Sequence, residues 1–449
     1  MRVTWIQPED LLRHELIQSA AEGKDIGAVS ARWREAGGDL GVPEGGASPV
    51  AATPAQRRLA SALLDELDAQ IAPVRAEDPA ELDALRASWS TPPALPTVSR
   101  ERLADRIRGA WIGRAVGCLL GKPVEGVGRT GIREILEVTG RWPLDDFFTG
   151  RGLPADVAAR HPWNRASRDT SLAENIDGMP EDDDLNYTML ALGLVEAHGR
   201  GLTTDNVARA WLAELPALRV FTAERAVYRD LLDGVDPCAA AATRNPYREW
   251  IGAQIRADLY GWLCPGDPHR AAELAWRDAR LSHVRNGVYG ALFVAAMAAA
   301  ACVASDIESV LDAGLCVVPP HSRLARSITL ARDLARRRVP HEDAVDQLYA
   351  AHAGLHWVHV LPNASAVALA LAEGAGDFTR SICAAVSCGW DTDSNGATVG
   401  AVAGALAGAS ALPSRWTAPL HGRIASSLRG FDGATFDSLA ARTLALVDA

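Results

Sequence analysis

The chain has 449 residues, long for one hydrophobic core, and carries 45 Lys plus Arg against 56 Asp plus Glu for a net charge of −11. That balance disfavours nucleic acid or an anionic membrane as a partner held by a general positive field, so an anionic substrate would need local cations or a bound metal. The seven cysteines form no C-x-x-C pair, which implies reduced, mostly buried thiols, and the N-terminus meets Glu9 and Asp10 before any apolar run, so no signal or transit peptide is expected and the expected location is the cytoplasm.

Helical signals recur throughout and alternating Val/Ile/Thr runs are nearly absent, so the fold class reads as all-α. Pro8-Glu9-Asp10 opens a first helix, Gly37 to Pro54 is a Gly/Pro/Ser-rich break, Ala55 to Ile71 has apolar residues at helical spacing, and Ser90 to Pro96 makes a second break. Residues 1–98 are thus expected to be an N-terminal helical extension and 99–449 the main domain. Within the latter, helices are expected at Ala104–Leu120, Leu185–His198, Trp250–Trp262, Pro268–Arg280, Val288–Val303, Ala364–Ala372 and Asn395–Ala409. No repeat of solenoid length is present. Val288–Ala304 and Ala397–Leu412 are uncharged over nearly a bilayer length, but Ala and Gly dominate them, which favours buried helices over membrane spans. Gly396, Gly400, Gly404 and Gly408 recur every four residues, a smooth ridge that another backbone must approach closely.

Two acidic turns stand out. Glu181-Asp182-Asp183-Asp184-Leu185-Asn186-Tyr187-Thr188 leads into an amphipathic helix, and Gly389-Trp390-Asp391-Thr392-Asp393-Ser394-Asn395-Gly396 leads into the glycine-ridged one. Each alone is explained by helix capping, since acids at a helix start accept free N–H groups and complement the dipole. Brought together, five carboxylates would repel by up to about 4 kcal/mol per pair at about 4 Å and an effective dielectric of about 20. Such a site needs bound cations, and all-oxygen ligands suit Mg²⁺, Mn²⁺ or Ca²⁺ rather than zinc.

At these residues the chain resembles the ADP-ribosylglycohydrolase family, which includes the dinitrogenase-reductase-activating glycohydrolases. The resemblance spans roughly Arg106 to Leu420 and rests on three motifs in family order: Arg108-Gly109-Ala110-Trp111-Ile112-Gly113 through Gly121-Lys122-Pro123-Val124-Glu125, the first acidic turn, and Asp391-Thr392-Asp393-Ser394. It implies a compact orthogonal helical bundle and two divalent metals, Mg²⁺ or Mn²⁺, held by Asp182, Asp183, Asp184, Asp391, Asp393 and Ser394. Asp182 stands where the family usually has a hydroxyl, and Cys118 where the family's Gly-Asp-x-x-Gly has its Asp. Glu125 matches the acid that closes the first motif, which in the family is often placed beside the scissile ribose. The chain is also similar to a subgroup with Glu-Asp-Asp-Asp-x-Asn-Tyr-Thr and Gly-aromatic-Asp-Thr-Asp-x-Asn-Gly-Ala-Thr patterns, a His283–Gly290 segment and an Asn363-Ala364 pair.

The resemblance implies hydrolysis at C1 of a ribose in an ADP-ribosylated or otherwise ribosylated substrate, protein or small molecule, through an oxocarbenium-like state. Glu125, Asp183 and Asp184 are the expected catalytic acids; Glu125 could instead pair with Lys122 or Arg129. His283, Asn286, Asn363 and Trp390 are candidate substrate contacts, with core packing as the alternative for each. A ribosylated or nucleotide-derived metabolite as substrate, or a noncatalytic ADP-ribose-binding protein, remain as other readings. Gly126-Val127-Gly128-Arg129-Thr130-Gly131 spells a dinucleotide fingerprint but no strand precedes it, and Gly121-Lys122-Pro123 lacks both the spacing and the Ser/Thr of a phosphate loop.

Overall fold

Ser99 starts the helix on which the molecule is organised: its hydroxyl accepts the Arg102 N–H at 3.2 Å, and the helix runs from Arg100 to Gly121. The computed structural model describes residues 2–41, 45–48, 50–73, 77–164 and 167–447. The chain is all-α, and the described residues hold 23 α-helices and one two-stranded hairpin, Arg423–Ile424 against Ala434–Thr435.

Antiparallel to helix Arg100–Gly121 lies helix Thr392–Ala407. The anticipated close approach is present, and its partner is a second ridge with the same spacing, Gly109, Gly113, Gly117 and Gly121. A Cβ built on any of these four, or on Gly396, Gly400 or Gly404, would stand less than 3.0 Å from a backbone oxygen of the opposite helix. Backbone cannot step aside as a flexible side chain can, so each of these positions excludes a side chain. Gly408 closes the ridge: its carbonyl carbon lies 2.9 Å from a Cβ built on Gly109, and with φ 87 it ends the helix, two residues before the expected boundary.

Around this pair the apolar stretches form the core. Helix Asn286–Ala301 is buried at every residue, and helix Val360–Gly374 is buried along most of its length. Among the described residues no helix is long and apolar enough to cross a membrane. All seven cysteines are free thiols, six of them buried and Cys238 exposed. The expected helix Trp250–Trp262 is a correction. Trp250 is extended and bridges to His359, Ile251 donates to the Val358 carbonyl at 3.0 Å, and only a 3-10 turn, Ile251–Arg256, and a short helix, Asp258–Trp262, follow. Pairing with the 358–360 backbone there overrides helical periodicity.

The first residues form helices Pro8–Glu22, Gly27–Glu35, Pro54–Asp68 and Leu82–Ser88. Of the break between Gly37 and Pro54, residues 42–44 and 49 lie outside the described residues. These helices are fastened by buried ion pairs. Arg248 donates to Glu15 at 2.7 and 2.9 Å and to Glu22 at 2.7 Å, and Arg285 also bonds Glu22. Burial alone would raise the Glu22 carboxyl, but Arg248 and then Arg285 outweigh it and hold it at about 2.

Gly400→Ala should destabilise by at least about 2 kcal/mol, because overpacking onto backbone exceeds the roughly 1 kcal/mol gained in helix propensity. Gly193→Ala, whose new Cβ would meet Phe431 at an ordinary 3.6 Å, should be neutral or slightly stabilising; urea unfolding measures both. Glu22 is held below its ordinary 4.5, so its contribution is whole above that pH and is lost as pH falls towards 2. The stability gap between wild type and Glu22→Gln, read from urea midpoints, should therefore shrink as pH drops from about 5 to about 3.

Candidate active site

The central helix holds both acidic turns. Asp182 caps helix Asp183–His198, its Oδ1 accepting the Asp184 N–H at 2.9 Å. Arg114, fully buried, donates to the Asp184 carbonyl at 2.8 and 3.1 Å and to Asp258 at 2.8 Å, so one guanidinium fixes the start of that helix from within the core. On the other side, Thr392 Oγ1 donates to the Gly121 carbonyl at 2.8 Å, and Asn363 Oδ1 accepts the Asp391 N–H at 3.1 Å. The turns then touch directly, Ser394 Oγ donating to Asp184 Oδ2 at 3.3 Å.

Two groups of ligand atoms result. Glu125, Asp391 and Asp393 offer oxygens within 4.8 Å of one another, and Cys118, Asp182 and Asp184 do the same with a thiol and two carboxylates. The carboxylates of both groups, together with Asp183, Ser394 and Lys122, whose ammonium bonds Asp182, form the acidic side of a cavity of about 580 Å³, with Cys118 buried behind them. Burial, and after it the neighbouring carboxylates, push the Asp183, Asp184, Asp391 and Asp393 carboxyls up. Burial and then Asp182 also raise the Cys118 thiol, keeping it neutral beside the acids. Acids crowded this closely cannot all ionise with one ammonium among them. The donor set, oxygen-rich and without histidine, fits hard divalent cations.

Glu125, Asp182, Asp183, Asp184, Asp391, Asp393 and Ser394 all line this cavity. Of the alternative partners for Glu125, Lys122 bonds Asp182, and Arg129 bonds Glu342 and Asp346; Asn164 Nδ2 donates to Glu125 Oε2. The other four expected residues do not line the cavity. Asn363 is saturated, donating to the Trp357 and His359 carbonyls at 2.8 Å while its oxygen holds Asp391 and Asn395. Asn286 donates to Glu249 at 2.9 Å and accepts the Leu324 N–H at 3.0 Å. His283, buried and kept neutral by burial and then by Arg256, shares a hydrogen bond with Ser282 at 2.8 Å, and Trp390 stacks on Tyr349 at 4.1 Å. Asn363 supports the second acidic turn directly; the partners of Asn286 and Trp390 lie outside the cavity lining, whereas His283 Nδ1 lies 3.9 Å from Oε1 of Glu224, which lines it.

Three contributors were missed from the sequence. Arg114 was visible as a lone charge in the apolar run Trp111–Leu120. Asn164 carries no local signal, and neither does Glu224, which lines the cavity and accepts Arg256 at 2.6 Å.

No curated protein matches the chain. A solved structure described as an ADP-ribosylglycohydrolase-related protein complex shares 21% identity, over 78% of this chain and 99% of that one, with a TM-score of 0.49. The ADP-ribosylglycohydrolase family matches residues 99–448, well over half of the sequence, and takes in both acidic turns and the helix that joins them. The chain belongs to the ADP-ribosylglycohydrolase family.

Proposed function

We propose that this cavity hydrolyses the C1 glycosidic bond of an ADP-ribosyl or related ribosyl substrate, protein-linked or small, with catalysis placed in residues 99–449. The observation that carries the reading is the convergence of five aspartates from two distant turns on one cavity, with Glu125 among them. Asp182, Asp183, Asp184, Asp391, Asp393 and Ser394 would hold two Mg²⁺ or Mn²⁺ ions. Such ions would neutralise the carboxylates and supply Lewis acidity to sugar oxygens.

The chain's own groups supply the rest. Glu125, steadied by the Asn164 amide, takes the proton of a water whose oxygen bonds to C1 as the bond from C1 to the leaving atom breaks, and returns that proton to the leaving atom. The acidic side of the cavity favours the positive charge that develops at C1 and the ring oxygen. Arg114 and Asn363 act behind the site, fixing the acids before substrate arrives.

Asp183→Ala, Asp391→Ala and Asp393→Ala should each abolish Mn²⁺ uptake in calorimetry together with cleavage of ADP-ribosyl-arginine, ADP-ribosyl-serine or simple ribosides. Glu125→Gln, which keeps an amide oxygen beside Asp391 and Asp393, should still take up Mn²⁺, unlike the aspartate variants, and lose about 10²–10⁴ in kcat. Undiminished activity after exhaustive chelation would overturn the reading.

A further inference from the structure

The cavity is not built by the catalytic helices alone. Thr4, Trp5 and Gly45 stand in its lining with the acids, and all three precede residue 99, where the family match begins.

Trp5 is held there with care. Its backbone is left-handed, φ 69, a conformation that a bulky side chain keeps only where its surroundings impose it. Its N–H donates to the Gly46 carbonyl at 2.7 Å, and the indole covers Gly46 so closely that a Cβ there would come within 3.0 Å of the ring. Just before it, Arg225 donates to the Thr4 carbonyl at 3.2 Å and to the Thr4 hydroxyl at 2.7 Å. The indole meets Tyr247 and Trp250 edge-on, at 5.6 and 5.9 Å between ring centroids. From Trp250 an aromatic row continues through His356, stacked at 4.3 Å, to Trp357, 5.5 Å further on. Trp357 again lines the cavity and lies 4.0 Å from the position of a Cβ on Gly126, next to Glu125. A row of aromatic rings thus links the acid to the N-terminal extension: its two ends, Trp357 and Trp5, line the cavity, Trp250 and His356 pack between them outside the lining, and Phe221 adds a third ring to the lining.

The clustered acids of the cavity suit a polyhydroxylated sugar; the rest of the lining carries the rings of Trp5, Phe221 and Trp357, which suit a flat, weakly polar ring, with Arg219 and Glu224 as its charged members. We propose that Trp5 is a specificity-determining residue, the extension's contribution to a wall that takes a planar heteroaromatic ring carried by the substrate beyond its ribose. The inference rests on the glycohydrolase reading. The ring could be attached at C1 itself, as in a nucleoside, or stand at the far end of an ADP-ribosyl group. In both cases the chemistry recognised is the π-face of the ring, to which a rigid indole adds contact area at little conformational cost.

The test is calorimetric titration of the full chain with Mn²⁺ alone, and of the Mn²⁺-loaded chain with adenosine, ADP-ribose and ribose. Trp5→Ala should weaken adenosine, ADP-ribose or both by about tenfold, leaving ribose and Mn²⁺ unchanged, and the ligand that loses more locates the ring. Trp5→Phe, which keeps a ring in the wall, should retain most of the affinity. Equal losses for ribose, Mn²⁺ and the base-bearing ligands would make Trp5 a structural residue and overturn the proposal, as would unchanged affinity for both base-bearing ligands. Failure of the hydrolase reading shows separately, as a wild-type chain that takes up no Mn²⁺.

Discussion

The site depends on one contact, the backbone-on-backbone approach of helices Arg100–Gly121 and Thr392–Ala407. Gly109 meets Gly404, Gly113 meets Gly400 and Gly117 meets Gly396, so the helices run antiparallel in a fixed register. That register brings the C-terminal end of one helix, at Gly121 with Lys122 and Glu125 beyond it, against the N-terminal end of the other, with Asp391, Asp393 and Ser394. Arg114, between the glycines of the first helix, then draws in the other acidic turn, Asp182–Asp184, by the Asp184 carbonyl. One helix therefore sets the positions of residues that lie more than two hundred positions apart in the chain.

The electrostatic demand of the site follows from that geometry. Two helix N-termini, at Asp183 and Thr392, aim their free N–H groups and positive dipole ends at the carboxylates, and Lys122 adds one full charge. These offset part of the repulsion, yet burial and mutual proximity still push four of the aspartates up. The fold thus holds in place a cluster whose full ionisation requires further positive charge. Cys118 and Asp182, the two positions where this chain departs from the expected motif, fall in the same group of side chains. The Cys118 thiol and a carboxylate oxygen of Asp182 lie within 4.8 Å of each other.

Much of this was legible in the sequence because the signals are local. Each acidic turn is contiguous and directly precedes its helix, and the ridge from Gly396 to Gly404 repeats at the helical period. The matching ridge from Gly109 to Gly121 has the same spacing, and it could have been named as the partner. Asn363, Asn286 and His283 show the limit: whether a polar side chain reaches substrate or satisfies buried backbone and side-chain groups is decided by the elements packed over it, and those are remote in sequence. Trp250–Trp262 has helical periodicity, but pairing with the 358–360 backbone, a nonlocal contact, fixes its first turn. The contribution of Trp5 to the cavity is equally nonlocal and carries no motif.

The central claim is that two aspartate turns, set by interlocking glycine ridges, hold hard cations between them. Anomalous diffraction from crystals grown in Mn²⁺ tests it most directly. The account predicts two anomalous peaks in the cavity, ligated by oxygens of Asp182, Asp183, Asp184, Asp391, Asp393 and Ser394. Separated turns, or a cavity without anomalous density at saturating Mn²⁺, would contradict it.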